Sequence, residues 1–247
     1  MTETPSTKTI RFEESMVAVA GQFVMVWVPG VDEFPMSLSY YGDRFGFTYQ
    51  IVGDGTKALG AKRPGDIIGI RGPFGKGFAK HGKKLLLVGG GTGMAPLGPF
   101  AEDAITHGSS VQVICGARSA SELLFEERSK YAGANVLVAT DDGSKGFKGF
   151  ATELAETVLA NEKFDCIYAC GPEPMVVSMV RLASEHSTPI QASLERLMKC
   201  GIGICDSCAL DGKHVCRDGP VFSEKQLSQF EDLGRARLDA CGRKVKT

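Results

Sequence analysis

Four cysteines stand close together near the C-terminal end of the chain: Cys200, Cys205, Cys208 and Cys216, spaced C-x4-C-x2-C-x7-C. Gly201 and Gly203 lie between the first two. A fold that carries this segment must curl it tightly enough to gather or to separate four thiols. Glycine permits such curling and lets backbone N–H groups face sulfur. The first three cysteines follow the opening of a plant-type [2Fe-2S] ligand run, while the x7 spacing to Cys216 is much shorter than in plant ferredoxins; soft thiolates are the ligands that iron–sulfur clusters require. Zinc is the alternative. Structural zinc sites usually show two separated C-x2–4-C pairs, whereas here Cys205 and Cys208 form one such pair and Cys216 has no close partner.

Eight cysteines in such a chain call for metal or redox chemistry before structural disulfides. Cys115 and Cys166 sit in apolar stretches and read as core residues, while Cys241 lies in a basic tail and receives no role. A net charge of -1 gives no reason to expect nucleic acid or an anionic membrane as partner. The longest apolar runs, Val24 to Val28 and Leu85 to Val88, are too short to span a bilayer. Met1 to Thr9 lacks the features of a secretory signal, so the chain reads as cytoplasmic.

Three units follow from the patterning. Residues 1–80 are rich in strand signals: Val17 to Ala20, Gln22 to Val28, Phe45 to Val52 and Asp66 to Arg71, punctuated by Pro29-Gly30 and Gly72-Pro73. No helical period is evident there, which predicts a small antiparallel β-barrel. Phe34 to Ser39 and Gly53 to Thr56 read as turns on that barrel. Residues 81–190 alternate. Strands are predicted at Lys84–Val88, Val111–Ile114, Asn135–Ala139 and Asp165–Ala169. Helices are predicted at Ala95–His107, Ser121–Tyr131, Phe150–Ala160 and Pro174–Glu185. That alternation predicts a doubly wound parallel sheet. Residues 191–247 form the cysteine-rich module.

Gly89-Gly90-Gly91-Thr92-Gly93 joins the first parallel strand to its helix. Glycines there let backbone N–H groups reach a diphosphate, and the helix N-terminus adds a favourable dipole. A tight packing turn is the alternative. Two further strand ends, Thr140 to Ser144 and Cys170-Gly171-Pro172, would share one rim with it, where doubly wound sheets bind ligands. His81, His107, His186 and His214 are scattered and read as surface or helix-end residues.

Taken in order, these motifs resemble the ferredoxin-reductase family from about residue 10 to residue 185. The resemblance implies an FAD-binding barrel followed by a nicotinamide-nucleotide domain. Pro35-Met36-Ser37 is similar to the family's flavin segment, Gly55-Thr56 to its second flavin loop, and Gly72 to Phe78 to the joint between the two domains. It implies flavin contacts from Pro35, Met36, Ser37, Leu38, Tyr49, Gly55 and Thr56. It implies NAD contacts from Gly89, Gly90, Gly91, Thr92, Gly93, Cys170, Gly171 and Pro172, with Cys170 near the nicotinamide ring and therefore not a metal ligand. One departure stands out: the family's arginine before the proline is Phe34 here, with Lys57 and Arg63 as candidate substitutes. Arg118 would meet a 2′-phosphate or solvent, and the resemblance implies NAD.

The tail, with Cys216-Arg217-Asp218-Gly219-Pro220-Val221-Phe222, resembles that of the electron-transfer subunits of heteromeric NAD-linked dihydroorotate dehydrogenases. Related transhydrogenase and sulfide dehydrogenase subunits tend to carry Asp in place of Cys200. The resemblance implies a flavin iron–sulfur oxidoreductase subunit of pyrimidine biosynthesis. Its [2Fe-2S] ligands would be Cys200, Cys205, Cys208 and Cys216. Its partner would be an FMN-containing catalytic subunit, two of each chain assembling together. No substrate-oxidising base is evident in this chain. Other redox partners, or a zinc-stabilised binding module, are the alternatives.

Overall fold

A computed structural model describes residues 1–246. The first sheet is antiparallel. It is built from β1 (Thr2–Thr4), β2 (Thr7–Arg11), β3 (Phe23–Val28), β4 (Asp32–Tyr40), β5 (Gly46–Gln50) and β6 (Gly69–Phe74), in the order β1-β2-β5-β4-β3-β6. Ile10, Val24, Leu38, Phe47 and Ile70, one from each of β2 to β6, meet in a single core. α1 (Asp54–Ala61) closes that core by inserting Leu59, which is 1% exposed.

Four expectations for this half are corrected. Gly53 to Thr56 is the start of α1 rather than a hairpin turn. An eight-residue helix with two internal glycines shows too little period to be read. Phe34 to Ser39 lies inside β4, where Pro35 stands opposite Met25 of β3 and outside the Leu38 to Tyr40 stretch that pairs with β5. Val17 to Ala20 forms no strand; β2 to β5 already have partners on both sides, and Val17 is 94% exposed. The strand expected at Asp66–Arg71 lies instead at Gly69–Phe74 and runs through Pro73, which is acceptable on the sheet's edge strand.

The second sheet comprises β7 (Lys84–Gly90), β8 (Ser110–Ala117), β9 (Asn135–Thr140), β10 (Phe147–Lys148), β11 (Cys166–Cys170) and β12 (Ile190–Ser193), all parallel. Between them run α2 (Met94–Thr106), α3 (Glu126–Tyr131), α4 (Ala151–Asn161) and α5 (Glu173–Glu185). The order β10-β9-β8-β7-β11-β12 reverses direction between β7 and β11, the switch point at which such sheets open a ligand crevice. Leu85 and Leu87 pack with α2, while Leu86 and Val88 pack with α4 and α5, so β7 is apolar at successive positions because both faces are covered. The single helix expected over Ser121–Tyr131 is instead a 3-10 turn and then α3. They are separated by a buried Phe125 with φ of 61°.

The remaining elements are β13 (Ala209–Leu210), β14 (Lys213–His214), α6 (Val215–Asp218), β15 (Val221–Ser223), α7 (Glu224–Leu227), β16 (Ala236–Leu238) and β17 (Lys244–Lys246). β15 pairs antiparallel with β12, so the parallel sheet draws its last strand from the cysteine-rich segment. β3 packs in two cores. Val24, Val26 and Val28 enter the barrel core, while Phe23 and Met25 join a core that also holds Cys208, Leu210, Val215, Cys216 and Phe222.

Arg128 of α3 locks the two sheets together. Its Nε and Nη2 donate to Glu102 of α2 at 2.7 Å, and Nη1 donates to the Ser39 carbonyl of β4 at 2.8 Å. The guanidinium also stacks over Tyr40 and Phe125. Replacing Arg128 with Ala is expected to cost roughly 2–3 kcal/mol, the scale of charge-assisted hydrogen bonds lost from a largely buried group. Urea unfolding measures it, and Arg128→Lys should recover only part because lysine lacks the planar fork.

Candidate functional site

The switch point opens a cleft of about 610 Å³. Gly90, Gly91 and Thr92 line one side, Gly171 and Pro172 another, and Gly116, Ala117, Arg118 and Asp141 a third. The start of α2 has no side-chain cap and no acid in its first turn; the Met94 N–H bonds the Gly91 and Thr92 carbonyls and Pro96 has none, which leaves the Ala95 N–H and the helix dipole to favour an anion. The two strand-to-helix loops touch only because they are glycine. A Cβ on Gly93 would lie 2.1 Å from the Cys170 carbonyl oxygen, and one on Gly171 would lie 3.0 Å from the Gly90 nitrogen. Phe150, at the start of α4, is 61% exposed on the same cleft and offers an aromatic face to a base.

A second cleft of about 330 Å³ adjoins it. Pro35, Met36 and Ser37 of β4, Thr48 and Tyr49 of β5, and Thr56 of α1 form its barrel side. Cys170, Ser193, Glu195, Arg196 and Met198 form the other. Gln50, Thr92 and Glu195 line both clefts, so ligands in the two would meet there. Burial keeps the Cys170 thiol protonated by pushing it far up, with the Glu195 charge adding to the effect. Desolvation also pushes the Glu195 carboxyl above its ordinary range, although part of that residue stays open to the cleft.

Among the predicted contacts, Leu38 does not line either cleft; it is fully buried in the barrel core. Gly55 lies beneath the Phe34 ring, where a Cβ would come within 2.5 Å of a ring carbon. Thr56 Oγ1 accepts the N–H groups of Val52 and Gly53 at 2.9 and 3.1 Å, holding the start of α1 while also lining the cleft. Gly89 and Gly93 stand behind the rim and pack against Met94 and Cys170 respectively.

Neither Lys57 nor Arg63 lines the smaller cleft; Lys57 pairs with Asp54 at 3.6 Å. The basic side chain that does line it is Arg196, 4% exposed and held by Glu173 through Nη1 and Nη2 at 2.7 and 2.9 Å. Its buried Nε has no partner among the described residues. A buried donor with nothing to bond is costly, and this one belongs to a residue in the wall of the smaller cleft. Arg196 follows the apparent end of the alternating pattern, and no motif marks it.

Cys200, Cys205 and Cys208 lie on one loop, and Cys216 lies in α6 just after the β13–β14 hairpin. Cys200 is half-buried, Cys205 exposed, and Cys208 and Cys216 are each 1% exposed. Gly201 and Gly203 take φ of 75° and 77°, which turns the Ile202 and Ile204 N–H groups onto Cys200 Sγ, each at 3.4 Å. Desolvation opposes ionisation of Cys200, but those donors and Cys205 outweigh it and bring the thiol down to about 6. Desolvation pushes Cys216 up to about 12, with Cys208 beside it adding to the rise. The Cys216 N–H donates to Cys208 Sγ at 3.4 Å, so these two adjoin, as do Cys200 and Cys205, and Cys200 also lies near enough to Cys216 to raise it. No three metal-binding side chains converge on a single position among the described residues. A [2Fe-2S] cluster takes two thiolates for each of two irons.

His107 and His186 end α2 and α5 as expected. His214 is more engaged: its ring bonds Asp206 across the cysteine hairpin and its N–H donates to Asp218 at 2.8 Å. Cys115 and Cys166 are core residues, and Cys241 is exposed between β16 and β17. Among the described residues no helix is long and apolar enough to cross a membrane.

Residues 195–228 match the iron–sulfur cluster binding domain of dihydroorotate dehydrogenase B, and residues 87–181 match an oxidoreductase NAD-binding domain. A protein of Methanocaldococcus jannaschii, named a probable dihydroorotate dehydrogenase B (NAD(+)), electron transfer subunit, is 44% identical over 98% of this chain and 94% of its own. A protein of Methanothermobacter thermautotrophicus with the same name is 47% identical over 91% of this chain and 85% of its own. Among solved structures, an NADH-dependent reduced ferredoxin-NADP oxidoreductase superposes with a TM-score of 0.83 at 29% identity, covering 91% of this chain and 86% of that one. A cytochrome P450 reductase of Amycolatopsis shares the fold, with a TM-score of 0.67 at 23% identity over 75% of this chain and 63% of its own. With two adjoining clefts, four neighbouring thiols and this degree of identity along almost all its length, the chain belongs to the family of dihydroorotate dehydrogenase B (NAD(+)) electron transfer subunits.

Proposed function

We propose that this chain carries electrons between dihydroorotate oxidation on a separate catalytic subunit and NAD+, as a step of pyrimidine biosynthesis. The carrying observation is continuity. The larger cleft adjoins the smaller at Gln50, Thr92 and Glu195, and residues 193–196 and 198 run along the smaller cleft to reach Cys200 two positions later. Residues 1–80, 81–190 and 191–247 divide the work into flavin, nicotinamide and cluster units. Bound FAD supplies the conversion between a two-electron hydride and single electrons.

In this reading the backbone of Gly89 to Gly93 and the start of α2 hold the NAD diphosphate. Cys170, Gly171 and Pro172 wall the nicotinamide end. Pro35, Met36, Ser37, Tyr49, Gly55 and Thr56 hold FAD, and Arg196 gives its free Nε–H to the flavin in place of the arginine absent at Phe34. Glu195 lies where the two rings would meet. Cys200, Cys205, Cys208 and Cys216 hold the [2Fe-2S] cluster. Cys205 is exposed, as are Ile202 at 47% and Ile204 at 76%; this face would meet an FMN-containing catalytic subunit, two of each chain forming the complex.

Cys205→Ala, purified with the catalytic subunit, is expected to lower dihydroorotate-driven NAD+ reduction by ~100-fold or more while FAD content and NADH-to-ferricyanide activity stay near wild type. Equal NAD+ reduction without a cluster would sink the electron path. Gly93→Ala should abolish NAD+ binding by calorimetry or prevent folding, because its Cβ would meet the backbone of Cys170, which has no room to yield. Arg196→Lys keeps a cation for Glu173 but loses the Nε–H. Its FAD affinity, read by flavin fluorescence, is expected to fall about tenfold, the worth of one charge-assisted hydrogen bond.

A further inference from the structure

One side chain of the barrel reaches the loop of the first cluster ligand. Arg71 lies on β6, opposite Met25 of β3. Its Nε donates to Glu33 Oε1 at 2.8 Å. Its Nη1 and Nη2 both donate to the carbonyl oxygen of Cys200, each at 3.3 Å. The Phe74 ring centre lies 5.7 Å from the guanidinium carbon. The side chain is 45% exposed, yet a planar fork with a carboxylate on one edge and an aromatic ring beside it presents two parallel donors that direct the carbonyl they grip.

That carbonyl begins the turn on which Cys200 depends. The following N–H groups of Ile202 and Ile204 both reach Cys200 Sγ. Gly201 and Gly203 make the turn sterically easy and therefore conformationally soft. On its inner side Gly201 backs onto Met25 and Phe74, where a Cβ would stand 3.0 and 3.2 Å away. On its outer side Ile202, Ile204 and Cys205 are exposed and lend no packing. Gly203 backs onto Arg217 of α6, where a Cβ would stand 2.9 Å away, so on the barrel side the hold falls to Met25, Phe74 and Arg71, and Arg71 makes its polar part.

We propose that Arg71 is a positioning residue for the cluster: it clamps the Cys200 carbonyl to the flavin barrel, fixes the turn that aims two N–H groups at Cys200 Sγ, and sets one positive charge beside that ligand. This rests on the reading of the four cysteines as cluster ligands. Both effects act in one direction. A cluster with four thiolates becomes more negative on reduction, and both N–H donors to sulfur and a nearby cation favour the reduced form. Losing Arg71 removes the cation, loosens the donors and leaves Glu33 without its partner.

The test uses the full chain loaded with FAD and cluster. Arg71→Gln is expected to shift the one-electron equilibrium of the cluster about tenfold toward the oxidised form, ~59 mV lower. It should also broaden the electron paramagnetic resonance spectrum of the reduced cluster and release iron to a chelator about tenfold faster, with FAD content unchanged. Arg71→Lys separates charge from clamp: it should keep most of the potential yet show the broadened spectrum and the faster release. Wild-type potential, line shape and release rate in Arg71→Gln would overturn the proposal. So would full recovery of line shape and release rate by lysine, which would leave charge alone. Loss of FAD together with iron would also overturn it, since the barrel as a whole would then depend on Arg71. A wild-type chain free of iron and sulfide would instead remove the underlying reading of the cysteines.

Discussion

The alternating burial of β3 is the constraint on which the rest of the molecule depends. A strand turns successive side chains to opposite faces. In most antiparallel sheets one of those faces meets water. Here Val24, Val26 and Val28 fill the barrel, while Phe23 and Met25 fill a second core together with the cysteine module and the parallel sheet. Close-packed interiors transmit displacement rather than absorb it. The flavin side and the cluster side are therefore set against one another by a single strand, and a distance between redox centres is held by packing rather than by a flexible joint.

The parallel sheet adds the second constraint. Its reversal between β7 and β11 leaves a crevice at the strand ends, and the two loops bordering that crevice approach closely because Gly93 and Gly171 have no side chain to separate them. Gln50 and Thr92 bring a barrel residue and a nucleotide-loop residue to the same junction. Arg128, gripping Glu102 and the Ser39 carbonyl, keeps the halves in that relation. The site is consequently a property of the interface between sheets, as ligand pockets often are.

Much of this was legible from residue order. β7 reads as a buried parallel strand because Leu85 to Val88 are apolar without alternation, and the glycines after it stand where a phosphate loop belongs. The barrel half read less well. α1 is too short to show a period, and Pro35 and Ser37 suggest a turn to anyone who cannot see β3 and β5 on either side. Val17 and Val19 have strand-forming side chains but no free ladder beside them, so local preference yields to what neighbours offer. The absent arginine before Pro35 drew attention to Lys57 and Arg63 nearby in sequence, whereas the cation on the cleft is Arg196.

By itself the sequence determined the inventory: four cysteines with glycines between them, glycine loops after parallel strands, and the order barrel, parallel sheet, cysteine module. These are local features, because ligand spacing and turn chemistry act over a few residues. Only the tertiary structure decided that Cys208 adjoins Cys216 and Cys200 adjoins Cys205, that Arg196 belongs to Glu173 and leaves one donor free, and that Arg71 reaches a carbonyl 129 residues further along the chain. Those relations depend on which faces the packed sheets bring together. Nothing in the spacing of Arg71 and Cys200 encodes a meeting that is made by β6 lying beside β3 and by Met25 and Phe74 receiving Gly201.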